Sequence, residues 1–147
     1  VAATSAARSM ASRADHCSSP STDILGVPKP VSTSFQAVVA TKDADGKFAA
    51  ALTTLSLADL PAEDVLVDVE YSTVNYKDGL AVTNSAPVVA KFPMVCGIDL
   101  AGTVVESKSP KWKPGDRVLA NGYGLSERHW GAYSAKQRVN ADFLVRI

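Results

Sequence analysis

A mainly β domain, a small barrel or sandwich with one or two short helices, is the fold class this sequence predicts. Three observations lead there. Short alternating or apolar runs recur about every 8–12 residues, bounded by Gly, Pro, Asp or Asn. Only one stretch, just past Asn75, combines a capping residue with a helical continuation. No G-x-G-x-x-G occurs, and no strand, crossover helix and parallel strand can be drawn in succession.

The domain is expected over residues 35–147. Residues 1–34 are half Ala, Ser and Thr, with Asp15 and Asp23 against Arg8, Arg13 and Lys29. Pro20, Gly26, Pro28 and Pro30 break any helix late in this segment. No face there has the apolar area to offset the entropy of ordering it, so it reads as a disordered leader. Its Ser/Ala-rich, acid-poor composition is also that of an organelle transit peptide. A cytoplasmic and an organellar location therefore both stay open.

Phe35 to Ala40 reads as the first strand, and Asp45-Gly46 as a hairpin turn. The return strand is expected from Phe48 to Leu55, and Asp59 to Asp64 as a turn. Val65, Val67, Val69 and Tyr71 then alternate with Leu66, Asp68 and Glu70, the period of a half-buried strand. A short helix is expected from Asn75, its N-cap, to about Val82. Asn84 to Lys91 is a loop. Phe92 to Gly97 enters a strand at Leu100 to Glu106. Pro114-Gly115 has the chemistry of a type II turn. Arg117 to Ala120 and Ala132 to Val139 are further strands. Gly97, Gly102, Gly115 and Gly131 read as positions where a tight turn or a close strand approach excludes a Cβ.

Composition excludes several classes. Fifteen basic residues balance fifteen acidic ones, so bulk charge argues for neither nucleic acid nor an anionic membrane as partner. No apolar run approaches the ~20 residues that span a bilayer. The two cysteines, Cys17 and Cys96, read as free thiols, and Cys96 has no cation beside it to lower its pKa.

Four segments carry a resemblance. Tyr71-Ser72-Thr73-Val74-Asn75-Tyr76-Lys77-Asp78 is similar to the segment that ends the long strand and opens the active-site helix of medium-chain dehydrogenase/reductases. Phe92 to Val104 resembles that superfamily's F-P-x-x-x-G-x-D-x-x-G-x-V stretch. Trp112-Lys113-Pro114-Gly115-Asp116-Arg117-Val118 resembles its G-D-x-V turn. Asn121 to Tyr133, with His129-Trp130-Gly131, is similar to the quinone-oxidoreductase-like branch that includes acrylyl-CoA reductase. The resemblance runs in unbroken order through about residues 35–147.

The resemblance implies a GroES-like β-barrel, with a Rossmann domain as a partner that this chain lacks. It implies NADPH as cofactor, held in the cleft between the two domains, and a homodimer at full length. It implies hydride transfer to the β-carbon of an enoyl thioester such as acryloyl-CoA. Quinones or other enones are the alternative substrates. A stand-alone, non-catalytic barrel is the reading from a different class. The chain departs from zinc-dependent members: Gly97-Ile98-Asp99 stands where they have Gly-His-Glu, and no Cys lies in Asn75–Asp78. Ile98 cannot ligate a metal, and His129 is the sole histidine outside the leader, so no metal is expected.

Without zinc, other donors must meet the charge that develops on the substrate carbonyl oxygen. Tyr76 and Asn75 are the catalytic and cofactor-binding candidates, Tyr76 falling beside the nicotinamide ribose by the resemblance. The alternative makes Tyr76 a half-buried core aromatic and Asn75 only a helix cap. Lys77, His129 and Trp130 are the substrate-binding candidates. Lys77 is a point charge for CoA phosphates or a solvated helix residue. His129 and Trp130 line a channel or anchor a loop. Asp78 reads as structural in the first helical turn. Asp99 is expected to bond backbone or a neighbouring cation.

Overall fold

The computed structural model describes residues 33–147, so the expectations for the leader, with His16 and Cys17, lie outside the described residues. Strand β1 (Ser34–Lys42) turns at Asp43 and returns as β2 (Phe48–Ser56). The Asp43 carboxylate accepts the backbone N–H groups of Asp45 and Lys47, while Gly46 takes φ 79°. Leu57–Asp59 forms a 3₁₀ turn that runs up to the first residue of the expected turn at Asp59–Asp64. Strand β3 (Val65–Tyr71) leads into helix α1 (Tyr76–Thr83), capped by Asn75 and closed by Asn84 in the left-handed region at φ 52°. Then come β4 (Met94–Val95), β5 (Asp99–Ser107), β6 (Arg117–Asn121), β7 (Lys136–Val139) and β8 (Val145–Arg146).

The strands form two sheets, ordered β2-β1-β4 and β7-β3-β5-β6-β8, with every recorded pairing antiparallel. They do not close into one hydrogen-bonded ring. Residues 131–135 stitch them instead. Gly131 N–H donates to Val95 O, Tyr133 N–H to Cys96 O, and Val38 N–H to Tyr133 O. Two residues on, Ala135 N–H donates to Gln36 O, and Val69 N–H donates to Ala135 O from the other sheet. The expected strand over Ala132–Val139 is therefore regular only from Lys136, because its first half changes partners from β1 and β4 to β3.

Strand β3 runs between two cores, and that corrects its expected alternation. Val65 and Val67 pack with Leu100, Val104, Val118 and Val139. Leu66 points the other way, into a second cluster with Phe35, Ala37, Val39, Leu60 and Val95, so three successive residues are buried. Each such side chain contributes about 1.5–3 kcal/mol of burial. A register shift between Val69 and Tyr71 ends the pattern, and Tyr71 stands exposed rather than on the buried face. A third cluster, with Ala40, Ala81 and Cys96, seats α1 against β1.

The glycines behave as backbone chemistry requires. Gly97 has φ 98° and Gly115 φ 90°. A Cβ on Gly102 would stand 2.0 Å from Asp68 O, and one on Gly131 would stand 2.2 Å from Gly97 O. At Gly102 neighbouring strands of one sheet, and at Gly131 the segment that joins the two sheets, come to backbone distance.

Candidate active site

Beyond Tyr71 the chain runs extended through Ser72–Val74 and lies against the first residue of β5. Ser72 Oγ donates to Asp99 O at 2.7 Å, and Thr73 Oγ1 donates to Asp99 Oδ2 at 2.5 Å. Asn75 Nδ2 stands 2.7 Å from Thr73 Oγ1, 2.9 Å from Asp99 Oδ2 and 3.2 Å from Asp78 Oδ2. An amide carries two hydrogens, so these three inward acceptors already exceed what Asn75 can donate. Asp78, only 1% exposed, accepts from Asn75 N at 2.8 Å and from Ile98 N at 3.0 Å. One carboxylate thus satisfies a helix-start N–H and ties the helix to the residue before β5. The Asp99 side chain bonds the Thr73 hydroxyl and the Asn75 amide, not the backbone or cation expected of it, and its Oδ1 is buried without a partner.

Tyr133 closes this network from the seam, and nothing in the sequence singled it out. Its hydroxyl donates to Thr73 O at 2.9 Å. Burial, then the nearby Asp78 charge, pushes its pKa up to about 12. Its ring also covers Gly97, where an added Cβ would meet Tyr133 N at 2.6 Å. The signal for it was the glycine pair Gly97 and Gly131, each of which marks a close approach. Sequence spacing does not say to what.

The candidate residues fall in two places. Tyr76 opens α1 with its ring 85% exposed, and Val74 beside it is 90% exposed. Tyr76 makes no hydrogen bond or ring contact within the described residues. Lys77 pairs with Glu127 at 2.5 Å, on the rim of a cavity of about 390 Å³ lined also by Pro87, Val88, Ala90 and Arg128. His129 and Trp130 line a separate, smaller pocket. There His129 Nδ1 lies 3.5 Å from Glu63 Oε1 and the imidazole edge packs on Phe143. Trp130 Nε1 donates to Pro93 O at 3.1 Å, and its ring packs on the second core. No hydrogen bond or ring contact joins either residue to Tyr76. Among the described residues no three His, Cys, Asp or Glu side chains converge as metal ligands.

What the geometry offers is an exposed aromatic at a helix start, rigidly mounted. Its neighbours are committed inward, and the Tyr76 hydroxyl is unengaged and exposed, whereas the unpartnered Asp99 Oδ1 is buried. The alcohol dehydrogenase GroES-like domain family matches residues 61–147, more than half of the chain and the whole of this site. The chain belongs to that family. Its GroES-like domain is similar to acrylyl-CoA reductase AcuI of Ruegeria pomeroyi, 53% identical over 114 residues, covering 77% of this chain and 34% of that protein. It is similar to the Bacillus subtilis protein named "Putative quinone oxidoreductase YhfP", 44% identical over 117 residues, 80% of this chain and 35% of the other. The crystal structure of Escherichia coli K-12 YhdH with bound NADPH superposes with a TM-score of 0.73 at 44% identity, over 76% of this chain and 34% of that one. The structure of the Bacillus subtilis protein with NAD bound gives 0.72 at 43% identity, over 78% and 35%. The chain spans about a third of the length of each of these relatives.

Proposed function

We propose that this GroES-like domain is the substrate-side part of an NADPH-dependent reductase of acryloyl-CoA or a similar small enoyl thioester. The observation that carries this reading is the Tyr76 ring, 85% exposed on a fixed mount, in a chain 53% identical to an acrylyl-CoA reductase over 114 residues. A buried Tyr76 would have removed any role at a cleft.

The residues fit one end of a nicotinamide cofactor and no more. The exposed Tyr76 face suits stacking on a flat ring or its ribose, and its hydroxyl suits a ribose or carbonyl oxygen. No glycine-rich helix start stands here for a pyrophosphate, so that part of the cofactor falls to a Rossmann domain supplied by further polypeptide. When bound, NADPH supplies a hydride to the β-carbon of the conjugated thioester. Negative charge then grows on the thioester carbonyl oxygen, and this chain must stabilise it. We assign that role to the Tyr76 hydroxyl, whose exposure supports it, and leave Lys77, paired with Glu127, to the substrate beyond the thioester. Asn75 acts through position: its amide hydrogens are drawn inward by Thr73, Asp78 and Asp99, so it sets the backbone that presents Tyr76.

The test is turnover by full-length protein, followed as NADPH oxidation with acryloyl-CoA. Tyr76→Phe should lower kcat by at least about tenfold, a modest fraction of the 10²–10³ that one lost oxyanion donor can remove. Tyr76→Ala should leave stability within about 0.5 kcal/mol, because the ring is exposed. Full activity in both variants defeats the assignment. The Bacillus subtilis name favours a second reading, reduction of quinones. Turnover of quinones without any thioester reduction would select it.

A further inference from the structure

Apart from the Tyr76 site, one pocket gathers basic side chains that the proposed reaction does not use. Lys91, Arg128 and Arg138 line one pocket of about 40 Å³ together with Pro61, Glu63, His129 and Trp130. Two carboxylates stand against these three permanent cations: Glu63, directed at His129, and Glu106, paired with Arg138. Lys91 and Arg128 have no ion-pair partner among the described residues. Arg138 projects from β7 with its side chain 18% exposed. Its Nη2 donates to Glu106 at 2.5 Å, but its Nη1 is buried with no hydrogen-bond partner. An unsatisfied guanidinium N–H shielded from water is costly, and native structures rarely leave one without a ligand or water to receive it.

The pocket's size and position narrow the ligand. About 40 Å³ admits a few water-sized atoms, enough for the oxygens of one anionic group and too little for a ring or an acyl chain. Guanidinium and ammonium groups together select a phosphoryl group, the guanidinium by its fork and the ammonium as a point charge. Arg128 lines both this pocket and the larger cavity that begins at Lys77, the residue after Tyr76. Arg128 therefore stands between the two pockets, while Lys77 at the far side of the larger one is already paired with Glu127.

We propose that Lys91, Arg128 and Arg138 form a phosphoryl-binding site, and that it receives a phosphate of the CoA carrier while the Lys77 cavity takes the pantetheine arm. The second clause rests on the thioester reading of the function; the first does not. Lys91 and Arg128 are exposed, so replacing them leaves the core intact.

The experiment is calorimetric titration of full-length protein with three probes: CoA, pantetheine and inorganic phosphate. Lys91→Gln, which lies outside the Lys77 cavity, should weaken CoA and phosphate and leave pantetheine unchanged, and adding Arg128→Gln should bring the loss of CoA and phosphate affinity to at least tenfold. Arg138→Lys, which keeps the charge and removes Nη1, should weaken the same two probes at unchanged Tm. CoA and phosphate affinities that ignore the double variant overturn the site. Loss of phosphate binding with CoA unaffected overturns the CoA assignment. Failure of the functional reading looks different: the wild type would reduce no thioester, while phosphate binding would still depend on Lys91 and Arg128.

Discussion

Asp78 shows how much one side chain can organise. Its two oxygens hold the start of α1 and the backbone before β5 together, with 1% of the residue exposed. Asp78→Ala leaves the Asn75 and Ile98 N–H groups unpaired in a buried place, at about 1–3 kcal/mol each. A loss of about 3 kcal/mol is expected, read from the shift in urea midpoint at constant slope. Tyr133 gives a second expectation at this scale. Its neutral form is favoured in the fold, with a pKa of about 12 against an ordinary value near 10. The stability it contributes is therefore complete below about pH 10 and is lost as pH rises toward 12. A phenolate titration at 295 nm should show one late phase near pH 12, and Tyr133→Phe should remove it. An unchanged late phase in that variant would show the assignment to be wrong.

Among the elements, the seam at residues 131–135 decides more than any regular strand. It joins two sheets that share no ladder, and it does so at backbone contact. Gly131 makes this approach possible, since a Cβ would stand 2.2 Å from Gly97 O and 2.5 Å from Cys96 O. Gly131→Ala must push apart backbone that no rotamer can relieve, so a loss of at least about 2 kcal/mol is expected in denaturant unfolding. Wild-type stability would mean that the seam is slack. Helix α1 and the hairpin of β1 and β2 are the opposite case. Asn75, Asp78 and Asn84 mark the helix ends, and Asp43 and Gly46 mark the turn, all by local chemistry. The boundaries expected for both elements differ from the structure by no more than two residues, because local caps and the turn set their ends even though distant partners such as Ile98, Asp99 and β4 also hold them.

For the molecule as a whole, the last strand is fastened by charge. Arg146 on β8 grips Asp116 with Nη1–Oδ1 at 2.6 Å and Nη2–Oδ2 at 3.2 Å. That guanidinium, with the Lys113 N–H, holds the Asp116 carboxyl below the usual carboxylate range. A depressed pKa in the fold means stability that is present above about pH 4 and fades as pH falls through the folded value. The Tm gap between wild type and Asp116→Asn should be full at pH 6 and should shrink below pH 4. A gap independent of pH would exclude the pair as its source. Tyr71, Val74 and Tyr76, by contrast, leave one short stretch of chain with its large apolar groups in solvent.

Short-range chemistry wrote much of this protein legibly into its residue order: the β class, the hairpin, the capped helix and the glycines at positive φ or close approach. The placement of Tyr76 at the helix start also follows from the local motif. Which residues surround that start does not. Thr73, Asp99 and Tyr133 meet there from three separate stretches, and the burial of Leu66 depends on a second core on its far side. The same holds for the cations at positions 91, 128 and 138, which are scattered in the chain and neighbours only in space. Periodicity and capping act over a few residues, whereas these groupings depend on how two sheets are stitched, and only the folded chain decides that.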